Sequence, residues 1–193
     1  NSPNSNLFNI EAGAYTVTVT DAHGCTVTGG VTITEGNEIN IFTSTFPVTC
    51  FGGNNGQALA FATGGAGVFQ YNWSNGATGA QVTDLEAGVY TVFVTDLKNC
   101  VESTTVNVTE PDKLIITLNS TPEVLGGADG TVSVVAIGGT PPYTYIWSTG
   151  STTDSDEDLV AGEYFVTVTD HNGCSANDSI NVVPSNCAFS ASL

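Results

Sequence analysis

The side chains best suited to chemistry in this 193-residue chain are five cysteines, Cys25, Cys50, Cys100, Cys174 and Cys187, and three aspartates, Asp21, Asp96 and Asp170, which each precede a cysteine by four positions. Cysteines at suitable spacing either hold a soft metal ion or pair as disulfides. Metal binding is the weaker reading here, because there is no C-x-x-C motif and no Cys/His cluster. An aspartate at the mouth of a hairpin more often accepts hydrogen bonds from its own turn than it does acid–base work. His23 and His171 do not recur at equivalent positions, and no Ser, His and Asp set or paired-carboxylate cleft can be assembled. The chain therefore reads as non-enzymatic, with no catalytic residue, no cofactor-binding residue and no metal ligand expected.

What positions the cysteines is a repeat. AGAYTVTVTDAHGC (12–25), AGVYTVFVTDLKNC (87–100) and AGEYFVTVTDHNGC (161–174) spell one stretch three times, at spacings of 75 and 74 residues. The same offset lays Tyr71 on Tyr145, Trp73 on Trp147 and Leu85 on Leu159. The expected organisation is the C-terminal half of a module at 1–36, complete modules at 37–111 and 112–185, and the first strand of a further module at 186–193.

Within each module apolar and polar residues alternate with period two between clusters of Gly, Asn and Asp, which predicts short antiparallel strands and no helix. In YTVFVTD the inward set is Tyr90, Val92 and Val94. Further strands are expected at 39–44, 57–63, 69–73 and 80–85. Six or seven such strands in about 75 residues imply an all-β fold of tandem immunoglobulin-like β-sandwich modules in a linear array. LEAGVY, an apolar residue, a Gly corner and a Tyr opening the next strand, fits a tyrosine corner. Trp73 and Trp147, two residues from Tyr71 and Tyr145 on the same strand face, are expected in the core rather than on a sugar-stacking platform.

A module this small gains from a cross-link. Cys50 near the start and Cys100 near the end of the first complete module are expected to pair, closing a loop of about 50 residues for roughly 4 kcal/mol in the chain-entropy model. Cys25 would find its partner upstream of residue 1, and the early position of the second module is Val124 or Leu125, so Cys174 is left over. Cys187, across the module junction, is its expected alternative partner, with free thiols as the other outcome. Disulfides place the chain in an oxidising, extracellular setting.

Composition removes several functions. With 2 Lys, no Arg and 19 Asp plus Glu the formal charge is −17, which repels phosphate backbones and anionic lipid. No nucleic-acid partner and no direct membrane insertion are expected, and no apolar run reaches membrane-spanning length. The acidic run DSDEDL (154–159) invites a structural calcium ion, but its counterpart AQVTDL (80–85) keeps only Asp84. A solvated acidic edge is the expectation there. Glu35, Glu38, Glu110 and Asp112 at the junctions offer a second possible calcium site. An isopeptide staple from Lys98 or Lys113 is not expected, since one lies in a turn and the other in a linker.

Three motifs together, CFGGNNG (50–56), GGTPPYTYIWSTG (138–150) and LVAGEYFVTVTDHNGC (159–174), resemble the SprB repeat of bacterial cell-surface gliding adhesins. The likeness runs over essentially the whole chain, with GGAGVFQYNW in the first complete module and the missing early cysteine in the second as its departures. The resemblance implies a secreted array on the cell surface, a stalk or filament that attaches cells to surfaces and serves gliding motility in some bacteria. Asp178-Ser179-Ile180 resembles an O-glycosylation triplet of these bacteria, with Ser179 as acceptor. The implied partners are the other repeats of the chain, lateral copies in a filament, and an unidentified surface polysaccharide or protein. The alternative function is a carbohydrate- or protein-binding module whose loops, FQYN and DSDEDL, form the recognition surface.

Overall fold

Period-two alternation produces sixteen strands and no helix among the described residues of the computed structural model, which are 6–124 and 126–185. Strands β1 (Gly13–Thr20) and β2 (Thr26–Ile33) form a hairpin of their own. The next six are β3 (Ile39–Phe46), β4 (Gly56–Gly64), β5 (Gln70–Trp73), β6 (Gln81–Leu85), β7 (Gly88–Thr95) and β8 (Val101–Val108). They make two three-stranded antiparallel sheets, β3-β4-β6 and β5-β7-β8. The pattern then returns as β9 (Ile115–Thr121), a short β10 (Glu123–Val124), β11 (Gly130–Ile137), β12 (Thr144–Trp147), β13 (Ser155–Leu159), β14 (Gly162–Thr169), β15 (Ser175–Val182) and a short β16 (Pro184–Ser185). Its sheets are β9-β11-β13 and β12-β14-β15, with β10 paired parallel to β16. Among the described residues no strand pairing joins 39–108 to 115–185.

The two sheets of each set close on one apolar interior, which makes each a β-sandwich. In the first, Ala58, Ala60 and Ala62 of β4 and Val82 and Leu85 of β6 meet Trp73 of β5, Val92 and Val94 of β7, and Val106 and Val108 of β8. Val92 and Val94 are 0 % exposed, as alternation requires of the inward face of YTVFVTD. In the second, Val132, Val134 and Leu159 meet Trp147, Val166, Val168 and Val182. Trp73 and Trp147 retain 3 % and 2 % exposure, and their indole N–H groups donate to the carbonyls of Gly79 at 2.9 Å and Thr153 at 3.0 Å. Tyr71 and Tyr145 pack on the same cores, so the aromatic pairs are structural.

The tyrosine corner is present three times. Tyr15, Tyr90 and Tyr164 each donate the phenolic hydroxyl to the carbonyl four residues back, Glu11, Glu86 and Val160, at 2.7, 3.1 and 2.8 Å. Another shared device is close backbone approach: Gly64 and Gly138 take φ of 81° and 74°, and an added Cβ would collide with the carbonyl of Glu38 or Lys113. Only glycine satisfies both demands. The GG that opens each motif thus seats the start of one sheet against the linker.

Strand β8 also fixes which ends are which. Cys100 lies just before it, whereas Val48, two residues from Cys50, donates its N–H to the carbonyl of Thr109, just beyond it, at 2.8 Å. Eight residues of strand span roughly 26 Å at 3.3 Å each, and a disulfide needs Cα atoms within about 7 Å. Cys50 and Cys100 therefore sit at opposite ends of one sandwich. The Cys50–Cys100 bond expected from sequence is not formed, and Cys100 is an exposed free thiol.

Candidate functional site: the junction between sandwiches

Cys50 is bonded instead to Cys174, 124 residues on, with Cα atoms 5.7 Å apart. The bond joins the lower loop of the first sandwich to the upper turn of the second. It also removes Cys174 from the pairing expected with Cys187, which lies outside the described residues. Neither sulfur has a partner within its own repeat; the pair becomes visible only when consecutive repeats are set end to end.

Each side of the junction is built from local rules. On the lower side the loop after β3 turns through Cys50 and Phe51, with Gly52 at φ 70°. Asn55 holds the loop closed by accepting the N–H of Thr49 at 2.9 Å and by donating to its hydroxyl. The Glu110 carboxylate accepts the N–H of Gly52 at 2.5 Å, so one of the linker carboxylates considered for calcium is already used in tying the linker to the loop.

On the upper side the turn after β14 is organised by Asp170. Its Oδ1 accepts the N–H groups of Asn172 and Cys174, both at 2.9 Å, and its Oδ2 accepts that of Thr140 at 2.9 Å. Asp96 repeats the set with Lys98 and Cys100 at 2.8 and 2.9 Å and Ala66 at 2.8 Å. In the hairpin Asp21 serves His23 and Cys25 at 2.8 and 2.9 Å. The position before each cysteine takes positive φ and is filled by Gly24, Asn99 and Gly173 at 83°, 62° and 84°, residues that tolerate it. These aspartates are turn organisers, as their spacing suggests. What their spacing does not reveal is the bond from Oδ2 to a loop thirty residues earlier.

Asp96 and Asp170 are both buried. Burial pushes each carboxyl up, but the backbone N–H donors outweigh it and hold each below the ordinary aspartate value: Cys100, Ala66 and Lys98, with the Lys98 charge, for Asp96, and Thr140, Cys174, Asn172 and Gly173 for Asp170. Each stays an acceptor at neutral pH.

Across the junction the Asn172 amide donates to the carbonyl of Thr49 at 3.1 Å, and within its own sandwich it donates to the hydroxyl of Thr140 at 3.0 Å. Beneath it Cys50 and Phe51 of one sandwich face Leu114, Gly139 and Cys174 of the other around a cavity of about 260 Å³. The joint is therefore covalent, hydrogen-bonded and partly filled.

The remaining expected positions lie elsewhere. Ser179 sits in the middle of β15, where its hydroxyl donates to Glu163 at 2.9 Å. The DSDEDL carboxylates are spread along and beside β13, where Asp156 accepts the hydroxyl of Thr149 at 2.5 Å. No group of three or more His, Cys, Asp or Glu side chains among the described residues is gathered to hold a metal ion.

The SprB repeat matches the chain at residues 43–78 and 125–152, the stretches that carry the early loop of one module and the GG-to-Trp segment of the next. Among solved structures, the N-terminal eight Ig domains of the Down syndrome cell adhesion molecule align over 91 % of this chain and 28 % of that one, at 14 % identity and a TM-score of 0.46. The amphioxus IgVJ-C2 molecule aligns over 78 % and 98 %, at 15 % identity and a TM-score of 0.30. The first two Ig domains of DIP-gamma align over 77 % and 98 %, at 10 % identity and a TM-score of 0.39. The chain spans about a quarter of the first of these. No curated protein matches it.

Proposed function

We propose that this chain, which carries SprB repeats, is a structural repeat region of an extracellular bacterial surface adhesin or filament, non-catalytic, serving as a stalk in attachment and in gliding motility. The observation that carries this reading is the Cys50–Cys174 bond, which fastens one sandwich to the next across a linker of a few residues. Such a bond fits an oxidising compartment outside the cytoplasm and supports a stiff array. Stability in such an array comes from each module and from its contacts with nearest neighbours. Two Lys and no Arg leave trypsin-like proteases few sites, which suits prolonged exposure.

Exposed Phe42 and Phe61 face each other across β3 and β4 on the outer side of their sheet, which supports lateral association of arrays. The test is labelling of intact source cells with antibodies raised against this chain, paired with electron microscopy of the native assembly. Surface labelling and a row of beads one module apart are expected. Labelling only after the cells are permeabilised would overturn the surface assignment. Cell movement arrested by the antibody would tie the array to gliding, and specific glycan-array binding by this chain would favour loop recognition over a passive stalk.

A further inference from the structure

We infer that the upper end of the first sandwich is a docking face for the cysteine-bearing loop of a module placed one repeat ahead, and that Cys100 is the thiol that bonds it. The inference rests on the repeat geometry and holds whatever surface the array is mounted on.

Cys100 and Cys174 stand in the same turn with the same bonds between cysteine and aspartate, and the Cys174 turn adds a bond from the His171 N–H to the Thr140 carbonyl at 2.8 Å. Each donates its N–H to the aspartate Oδ1 at 2.9 Å. Asp96 and Asp170 return their own N–H to the cysteine carbonyl at 3.0 and 2.9 Å, and Asn99 and Gly173 donate to the aspartate carbonyl at 3.1 Å. One of the two sulfurs is bonded to a neighbouring sandwich and the other is exposed.

The spaces beside them differ in the way an absent neighbour predicts. Around Cys174 the cavity is closed on one side by Cys50 and Phe51 and measures about 260 Å³. The counterparts of part of its second-sandwich wall, Asn37, Glu38, Ile39, Cys100 and Val101, line one end of a groove of about 570 Å³ that runs on along β3 and β8 past Ile41 and Thr104, and among the described residues no cysteine or phenylalanine loop closes that end.

The hairpin says where that loop would come from. Strands β1 and β2 have the bounds of β7 and β8 shifted by 75 residues, so Thr34 stands where Thr109 does. In the complete sandwich the residue bonded to Thr109 is Val48, at the root of the Cys50 loop. Val17 and Val19 of β1 are 61 % and 58 % exposed, whereas their counterparts Val92 and Val94 are fully covered by the strands of their module's first half. The occupant that covers those valines is the same element that would bring a Thr-Cys-Phe-Gly-Gly loop to Thr34, as the Cys50 loop is brought to Thr109 beside the turn of Cys174.

Bond formation removes two protons and two electrons from the two thiols. A small-molecule disulfide such as oxidised glutathione accepts them by thiol–disulfide exchange and leaves as two thiols.

The test lengthens the full chain at its N-terminus by a copy of residues 37–75, folded in a glutathione buffer. After alkylation of free thiols and denaturation, trypsin cuts only at Lys98 and Lys113, because the copy carries no Lys or Arg, and releases residues 99–113 with Cys100. The expected result is that this peptide is disulfide-linked to the N-terminal fragment, and that Cys50→Ser in the copy alone sets it free. A free, alkylated 99–113 peptide in the lengthened chain, or a copied cysteine bonded to Cys25, would overturn the inference. The unlengthened chain gives an independent reading with a disulfide-activated peptide of residues 49–56: Cys100 should capture it several-fold faster than exposed Cys25, and equal rates would count against the docking face.

Discussion

The Asn172 side chain donates to the backbone carbonyl of Thr49 at 3.1 Å, one residue from the Cys50–Cys174 bond, so the same two loops are joined by a covalent and a polar contact. An isolated disulfide acts mainly by shrinking the unfolded ensemble, by about 5 kcal/mol for a loop of this length in the chain-entropy model. Here both sandwiches have their own cores and fold without the bond, so it acts chiefly by fixing how one sits on the next.

The pairing can be read from two cuts. Trypsin acting on the denatured, unreduced chain yields residues 1–98, 99–113 and 114–193. Cys50–Cys174 links the first to the third and frees the second. A product joining 1–98 to 99–113 in mass spectrometry would restore the pairing within one module.

Cys174→Ser is expected to loosen the joint without unfolding either sandwich, because neither sulfur belongs to a core. Thermal unfolding by circular dichroism should shift by only a few degrees. Interdomain mobility from NMR relaxation should rise clearly. Unchanged tumbling of the two sandwiches as one body would show that the hydrogen bonds alone suffice.

Asp170→Asn should lower the melting temperature of the second sandwich by several degrees, because an amide nitrogen would meet the N–H of Thr140 where Oδ2 now accepts it. The pH dependence has a definite sign. The folded carboxyl titrates below the ordinary value of 3.8, so the unfolded chain takes up the proton first. The stabilisation is complete well above pH 4 and is lost as the pH falls through the folded value. Melting curves between pH 6 and 2.5 should show an acid loss that is smaller in the variant, and parallel curves would remove Asp170 as its source.

Tyr164→Phe deletes the hydroxyl bond to Val160 and leaves the ring in place. A single such bond is worth about 1 kcal/mol, which in a module of this size lowers the melting temperature by about 4–8 °C. Calorimetry should place the whole loss in the second transition, and a loss in the first would mean that the sandwiches do not melt separately.

Gly138→Ala combines an unfavourable φ with a collision against the Lys113 carbonyl and should cost more than the roughly 1 kcal/mol of an ordinary glycine replacement. Tryptophan fluorescence reports it, since buried Trp147 emits at shorter wavelength than when exposed. A native emission maximum at the denatured position would contradict the burial of both indoles.

The repeat made the sandwiches legible. Val92, Val94 and the two tryptophans announce an inward face by alternation, and the strands expected to start at 39, 57, 69 and 80 start within one residue of those limits, at 39, 56, 70 and 81. Asp96 and Asp170 were readable as turn residues because Oδ1 acts locally, and illegible in part because Oδ2 acts on residues 66 and 140, brought near only by the fold. The cysteines misled for a similar reason. Cys50 and Cys100 are neighbours on the repeat diagram, yet β8 carries the chain the full height of the sandwich between their two ends. Direction along a strand, rather than membership of a module, decides which thiols meet.

The sulfur bridge runs alongside the Glu110–Lys113 linker and enters the second sandwich at the same end. A pull along the array thus reaches that sandwich by two covalent routes at once, and the tether as a whole need not yield when either one is broken.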